Sequence, residues 1–129
     1  MTEPEAIPVT GAWQPGAFDV FCLGPTTTPP SLWHRWYRFG QWFGWSQEVP
    51  GGWTDGLTAA TWAPGRIDVF GVDAATDGLA HAWWDGLAWH AEVLDGTVTA
   101  APAATSWAQF HIDVAVIGTG DALYRRYWS

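Results

Sequence analysis

Apolar and polar positions alternate along this chain in short runs. Over residues 67–72, Ile67 and Val69 fall on one side and Asp68 and Phe70 on the other, the two-residue period of a strand. The run Leu32-Trp33-His34-Arg35-Trp36-Tyr37 sorts the same way, with Leu32, His34 and Trp36 on one face and Trp33, Arg35 and Tyr37 on the other. Turn signals such as Trp13-Gln-Pro-Gly16, Thr76-Asp-Gly78, Asp85-Gly86 and Gly118-Thr-Gly120 separate the runs. Gly and Pro interrupt every window long enough for a helical stripe. The pattern predicts an all-β chain with any helix confined to a turn.

The runs also recur. Phe18-Asp19-Val20-Phe21 returns as Ile67-Asp68-Val69-Phe70 and as Ile112-Asp113-Val114-Ala115, each preceded by a tryptophan (Trp13, Trp62, Trp107) at spacings of 49 and 45 residues. A second anchor, Leu32 to Tyr37, matches Leu79-Ala-His81-Ala-Trp83-Trp84 and Leu123-Tyr-Arg125-Arg126-Tyr-Trp128. A third, Trp45-Ser-Gln-Glu48-Val49 against Trp89-His-Ala-Glu92-Val93, occurs twice. Four apolar runs at this period read as propeller blades of four antiparallel strands. The predicted blades cover approximately 7–53, 54–98 and 99–129, the first innermost strand beginning near Ile7 and the third blade lacking its outer strand. The first blade carries a Pro- and Thr-rich insertion at 24–30 and a longer loop at 38–44. Three blades make an arc with an apolar, Trp-lined face at each end. Closure by copies of the same chain is therefore expected, a six-bladed dimer being favoured over a nine-bladed trimer because four to eight blades is the common range.

Composition narrows the function. The 129 residues hold 12 Trp, 15 Gly and 9 Pro, and 48% are hydrophobic, which excludes a disordered segment. Thirteen acidic residues against five arginines give a net charge of -8, so nucleic acid and acidic lipid are poor partners, and no stretch is long enough to span a membrane. The acidic start lacks the features of a signal peptide, which points to a cytoplasmic protein or one exported without a classical signal. Cys22, the only cysteine, reads as a small buried hydrophobe, and neither a disulfide, a thiolate metal site nor any cofactor is expected. The segment 73–78 reads as a hairpin turn, not a calcium loop. No serine-hydrolase or zinc-protease string is present.

The phrases Trp62-Ala-Pro-Gly-Arg-Ile-Asp-Val-Phe70, Asp77-Gly-Leu-Ala-His-Ala-Trp-Trp-Asp-Gly86 and Ala100-Ala-Pro-Ala-Ala-Thr-Ser-Trp107 resemble the repeat of the Photorhabdus-type bacterial β-propeller lectins. The resemblance covers nearly the whole chain. It implies fucose or O-methylated sugars as ligands, held in pockets between adjacent blades, although that family typically closes seven blades in a single chain.

The chemistry of such a pocket is independent of the resemblance. A pyranose has one face of C–H groups and a rim of hydroxyls, so it needs an aromatic plate and a few fixed polar groups. The expected sugar-binding residues are His34, Arg35, Trp36, Tyr37, His81, Trp83, Trp84, Arg125, Arg126 and Trp128, where rings and hydrogen-bond donors interleave on the third strand of each repeat. The Trp13, Trp62 and Trp107 set is expected to be structural. The Asp19, Asp68 and Asp113 set is expected to accept hydrogen bonds from a turn or an indole. His90 and His111 lie outside the matched strand and read as satisfied or exposed residues. Glu48 and Glu92 occupy equivalent repeat positions, which suits a repeated binding task better than one catalytic centre. The expected function is a multivalent, non-enzymatic lectin for glycans; the alternative is a structural or protein-interaction propeller using the same Trp for packing, with a glycosidase third.

Overall fold

The computed structural model describes residues 8–24, 30–49 and 52–129, with the backbone alone at Asp55. Three antiparallel sheets follow one another along the chain. Blade 1 contains β1 (Val9–Gln14), β2 (Ala17–Gly24), β3 (Ser31–Arg38) and β4 (Gln41–Val49), each hydrogen-bonded to the next. Blade 2 repeats the arrangement with β5 (Trp53–Ala60), β6 (Ile67–Asp73), β7 (Leu79–Trp84) and β8 (Trp89–Leu94). Blade 3 has β9 (Ala103–Ala108), β10 (His111–Ile117) and β11 (Leu123–Trp128), and a single 3₁₀ turn at Thr119–Asp121 precedes its last strand. The first strands lie innermost, β5 touching both β1 and β9. Side chains stitch them: Thr61 Oγ1 donates to the Ala12 carbonyl at 3.1 Å, and the Ala104 amide donates to Thr58 Oγ1 at 3.1 Å.

The core lies between the sheets. Phe21, Leu23 and Leu32 of blade 1 pack on Ile67, Val69, Ala80 and Ala82 of blade 2. Phe70, Val72 and Leu79, on the opposite face of blade 2, pack on Ile112 and Val114 of blade 3. Both faces of β6 are therefore buried, and its alternation of Ile67 and Val69 with Asp68 and Phe70 serves two junctions at once. Each Phe, Leu, Ile or Val among them contributes about 1.5–3 kcal/mol, so packing between blades outweighs any propensity within them. Cys22 is buried, as its reading as a small hydrophobe requires, and burial pushes its thiol up to about 11.

Three local expectations need correction or placement. The segment 38–44 is a tight turn at Phe39 and Gly40, followed at once by a long β4, with Arg38 paired to Gln41. Consequently Trp42, not Trp45, lies opposite Tyr37 in the way that Trp89 lies opposite Trp84, and register irregularities further along β4 let Glu48 reach the place of Glu92. Trp53, assigned by sequence to the end of the first blade, opens β5. The expected strand start at Ile7 and most of the 24–30 insertion lie outside the described residues.

Candidate functional site

Strand pairing brings one polar set together on each of the first two blades. Asp19 of β2 stands opposite Trp36 of β3, and Phe21 stands opposite His34; Asp68 and Phe70 stand in the same way opposite Trp83 and His81. Alternation then places each Asp and His on one blade face. His34 Nε2 lies 2.5 Å from Asp19 Oδ2, and its Nδ1 lies 3.0 Å from Glu48. His81 repeats this with Asp68 at 2.7 Å and Glu92 at 2.7 Å. A guanidinium completes each cluster: Arg38 meets Asp19 at 2.9 Å, and Arg66 bonds Asp68 through Nε and Nη2 at 2.7 and 2.8 Å. The indole of Trp13 also donates to Asp19 at 3.4 Å.

These contacts set the protonation of the cluster. Burial disfavours the charged form of His34, but hydrogen bonds to Asp19 and Glu48 outweigh it and raise its pKa above the ordinary histidine value. Burial likewise works against ionised Asp68, yet the bonds from Arg66 and His81 hold its carboxyl below the usual carboxylate range. A lone buried carboxylate would be costly, and the network is what makes this one tolerable.

The rings form a ladder on the same face. Phe21 stacks on His34 at 4.7 Å and 7°, His34 on Trp36 at 4.8 Å, and Trp36 on Phe43 at 6.0 Å. Blade 2 repeats it as Phe70 on His81 at 4.5 Å and 4°, His81 on Trp83 at 4.7 Å, and Trp83 on His90 at 5.2 Å. The next blade supplies an indole against each imidazole, Trp89 edge-on to His34 at 5.4 Å and Trp128 tilted on His81 at 5.3 Å. Between blades 1 and 2 this leaves an open cleft of about 370 Å³, with Trp13, Trp36 and Arg38 on one wall and Ile67, Trp84 and Trp89 on the other. Between blades 2 and 3 a smaller one, about 220 Å³, has Trp62, Arg66 and Asp68 facing Phe110, Ile112 and Trp128. A larger cleft of about 430 Å³ opens at the far end of the second junction, but it holds one ring, Tyr124, and the Arg126–Asp95 ion pair instead of the repeated set.

Blade 3 carries a changed version of the cluster on its outer face. Asp113 accepts from Trp107 Nε1 at 3.0 Å, from His111 at 3.0 Å and from Arg125 at 2.5 Å. Burial opposes its ionised form, and these three donors outweigh that and lower its pKa. Arg125 in turn covers the ring of Tyr127 at 4.6 Å.

The ten expected residues thus divide among several faces. His34 and Trp36 share the first cleft with Trp84, which comes from the opposing blade; His81 and Trp83 lie at the second junction with Trp128. Arg35 and Tyr37 lie on the other face of blade 1, against Trp42. Arg125 is on the outer face of blade 3, and Arg126 bonds Asp95 at 2.7 Å. Of the expected donors, His34 and His81 have both ring nitrogens engaged by carboxylates. The Asp set is held by Arg and His as well as by indoles, and Trp13 and Trp62 line clefts where packing alone was expected. Arg38, Arg66 and Trp89 were missed. Trp89 was visible in the third anchor, whereas the two arginines occupy different repeat positions and leave no repeat signal.

No family model matches this sequence, and no curated protein matches it. Solved structures do. Over 94% of its length the chain is similar to a fucose lectin from Kordia zhangzhouensis in complex with methyl-fucoside, covering 91% of that chain with a TM-score of 0.69 and 17% identity. Aleuria aurantia lectin, a six-bladed β-propeller, matches 95% of this chain with a TM-score of 0.65 and 19% identity, and the chain spans 42% of that lectin. A protein from Arthrobotrys oligospora matches with a TM-score of 0.62 and 13% identity, over 95% of this chain and 54% of the other. At these identities the likeness establishes the fold, a β-propeller.

Proposed function

We propose that this chain is a non-enzymatic lectin whose clefts between adjacent blades bind fucose-like or O-methylated sugars, as its repeat resemblance to the Photorhabdus-type lectins implies. One observation carries the reading: the same constellation is built twice. At each junction a clamped histidine and an aromatic ladder from one blade face an indole from the next. The indoles offer a plate to the C–H face of a pyranose, and the guanidinium and carboxylates offer donors and acceptors to its hydroxyls. Arg66 keeps Nη1 uncommitted among the described residues for that purpose. The fucose lectins with the same fold support this choice of ligand class. Repetition argues against a single catalytic centre, and the lowered pKa of Asp68 is the wrong direction for a glycosidase acid.

Each site is shallow, so affinity per site is expected to be modest and avidity on a glycan surface high, the more so if copies of the chain close into one ring. Titration calorimetry with methyl fucoside and a panel of O-methylated sugars tests the reading. Trp89→Ala is expected to remove the first cleft's share of the heat and Trp128→Ala the second's, each leaving the other. Absence of heat with every sugar, together with absence of agglutination, would reject a lectin in favour of a propeller that uses its Trp for packing.

A further inference from the structure

The two end faces of the arc carry opposite halves of the constellation. Blade 3 presents Trp107 and Asp113 as blade 1 presents Trp13 and Asp19 to the first cleft. The other face of blade 1 presents Phe18 opposite Tyr37 and Tyr37 opposite Trp42, the arrangement in which Ile67, Trp84 and Trp89 form the far wall of that cleft. Phe18, Tyr37 and Trp42 touch one another at 5.3–5.4 Å, already packed as a wall.

Three substitutions within the repeat distinguish these halves from the internal ones. Arg125 stands where His34 and His81 stand. Ala115 stands where Phe21 and Phe70 stand, so the ring beneath the imidazole is gone, and Ala115 is exposed. Arg35 stands where Ala82 packs against blade 1. Arg35 lies over the Trp42 ring at 4.8 Å, and its Nε is buried without a partner among the described residues. Its counterpart Arg126 is by contrast tied to Asp95 at 2.7 Å.

The charge balance changes with them. In the first cleft the carboxylates of Asp19 and Glu48 surround one imidazole and one guanidinium. Among the described residues the end faces carry one carboxylate, Asp113, which already pairs with Arg125 as well as accepting from Trp107 and His111, while Arg35 brings a second guanidinium that has no carboxylate of its own.

We propose that blade 3 of one copy and blade 1 of a second copy close a third pocket, in which Arg125 and the partner's Arg35 select a saccharide bearing an anionic group, either a uronate carboxylate or a sulfate ester. The proposal rests on the sugar-binding reading above and adds a second ligand class. The guanidinium fork matches the paired oxygens of either anion, and the partner's Trp42 supplies the plate for the ring.

Calorimetry with methyl fucoside, a sulfated methyl fucoside and methyl glucuronide tests it on the intact chain. The acidic sugars are expected to bind at one site per chain and to weaken with salt, with sulfate and carboxylate arms showing which anion is preferred. Arg125→Gln and Arg35→Gln are each expected to weaken acidic-sugar binding at least tenfold while leaving methyl fucoside binding at the internal clefts, which also reports folding. Because the pocket draws on two copies, an equal mixture of the two variants, unfolded and refolded together, is expected to regain about a quarter of the acidic sites. Acidic sugars that bind no better than neutral ones, that ignore either substitution, or that show no recovery in the mixture overturn the proposal and leave the lectin reading standing. Failure of every sugar overturns both.

Discussion

His34 is clamped between two carboxylates, and the clamp decides how the protein responds to pH. Its folded pKa is raised above the unfolded value of about 6.5, so its contribution to stability is complete below that value and is lost as pH rises through the folded pKa. Asp68 has the opposite sign: its folded pKa is lowered, so its contribution is present above about 3.9 and is lost as pH falls through the folded value. Thermal melts against pH are expected to show a plateau between these limits with a fall on both sides. Imidazole NMR is expected to place His34 above the ordinary histidine range, and Asp19→Asn to bring it down and flatten the alkaline fall; a titration below that range in the parent would mean that burial wins. Asp19 and Asp68 were legible at a fixed distance after Trp13 and Trp62, and His34 and His81 from the second anchor, two residues after Leu32 and Leu79. The arginines were not, because Arg38 comes from the end of β3 and Arg66 from the turn before β6. Two unrelated positions deliver the same charge to equivalent carboxylates, and repeat comparison cannot see that.

Among the elements, the strands were legible wherever both blade faces impose a pattern, as on β6. The β3–β4 hairpin was not. Its turn places Phe39 at φ 45° and Gly40 at φ 96°, the doubly left-handed geometry of a two-residue turn in which Asn or Gly is the usual first residue. Phe39 is held there by tertiary structure: its amide donates to the Gly16 carbonyl at 2.8 Å, and a Cβ at Gly16 would come within 2.8 Å of its ring. Close approach also explains Gly71 on β6, where an added Cβ would lie 2.6 Å from Cε3 of the buried Trp53 indole. A rigid ring in the core between blades cannot yield, so Gly71→Ala is expected to destabilise by about 1–3 kcal/mol. At Gly11 the atom met at 2.7 Å is the terminal methyl of Ile67, which can turn aside. Urea unfolding of the two alanine variants is expected to separate them, with Gly71→Ala the less stable; equal midpoints would contradict this account of the packing.

For the whole molecule, the decisive quantity is the apolar surface at the two ends of the arc. Trp107, Leu123 and Tyr127 on blade 3 are 70%, 73% and 58% exposed, and Trp42 on blade 1 is 46% exposed. The equivalent ring of Trp89 and side chain of Leu32 are half-buried and fully buried in the internal junction. Aromatic faces of this kind seldom stay open to water, and the two differ in a complementary way, one carrying the clamped Asp113 and the other the wall of Phe18, Tyr37 and Trp42. A contact between copies is therefore expected to be head to tail, and such a contact ends only when the accumulated rotation closes a ring. With three blades in each chain, two copies close six and three close nine, and six falls in the common range of four to eight. Light scattering of this chain is expected to give about twice 14.1 kDa, independent of dilution in the micromolar range. Trp42→Arg, which sets a charge opposite Arg125, is expected to return the mass to that of one chain and to abolish agglutination, while calorimetric heat at the two internal clefts persists. A single-chain mass in the parent protein would reject closure by copies, and a threefold mass would retain the head-to-tail contact with a shallower turn between blades.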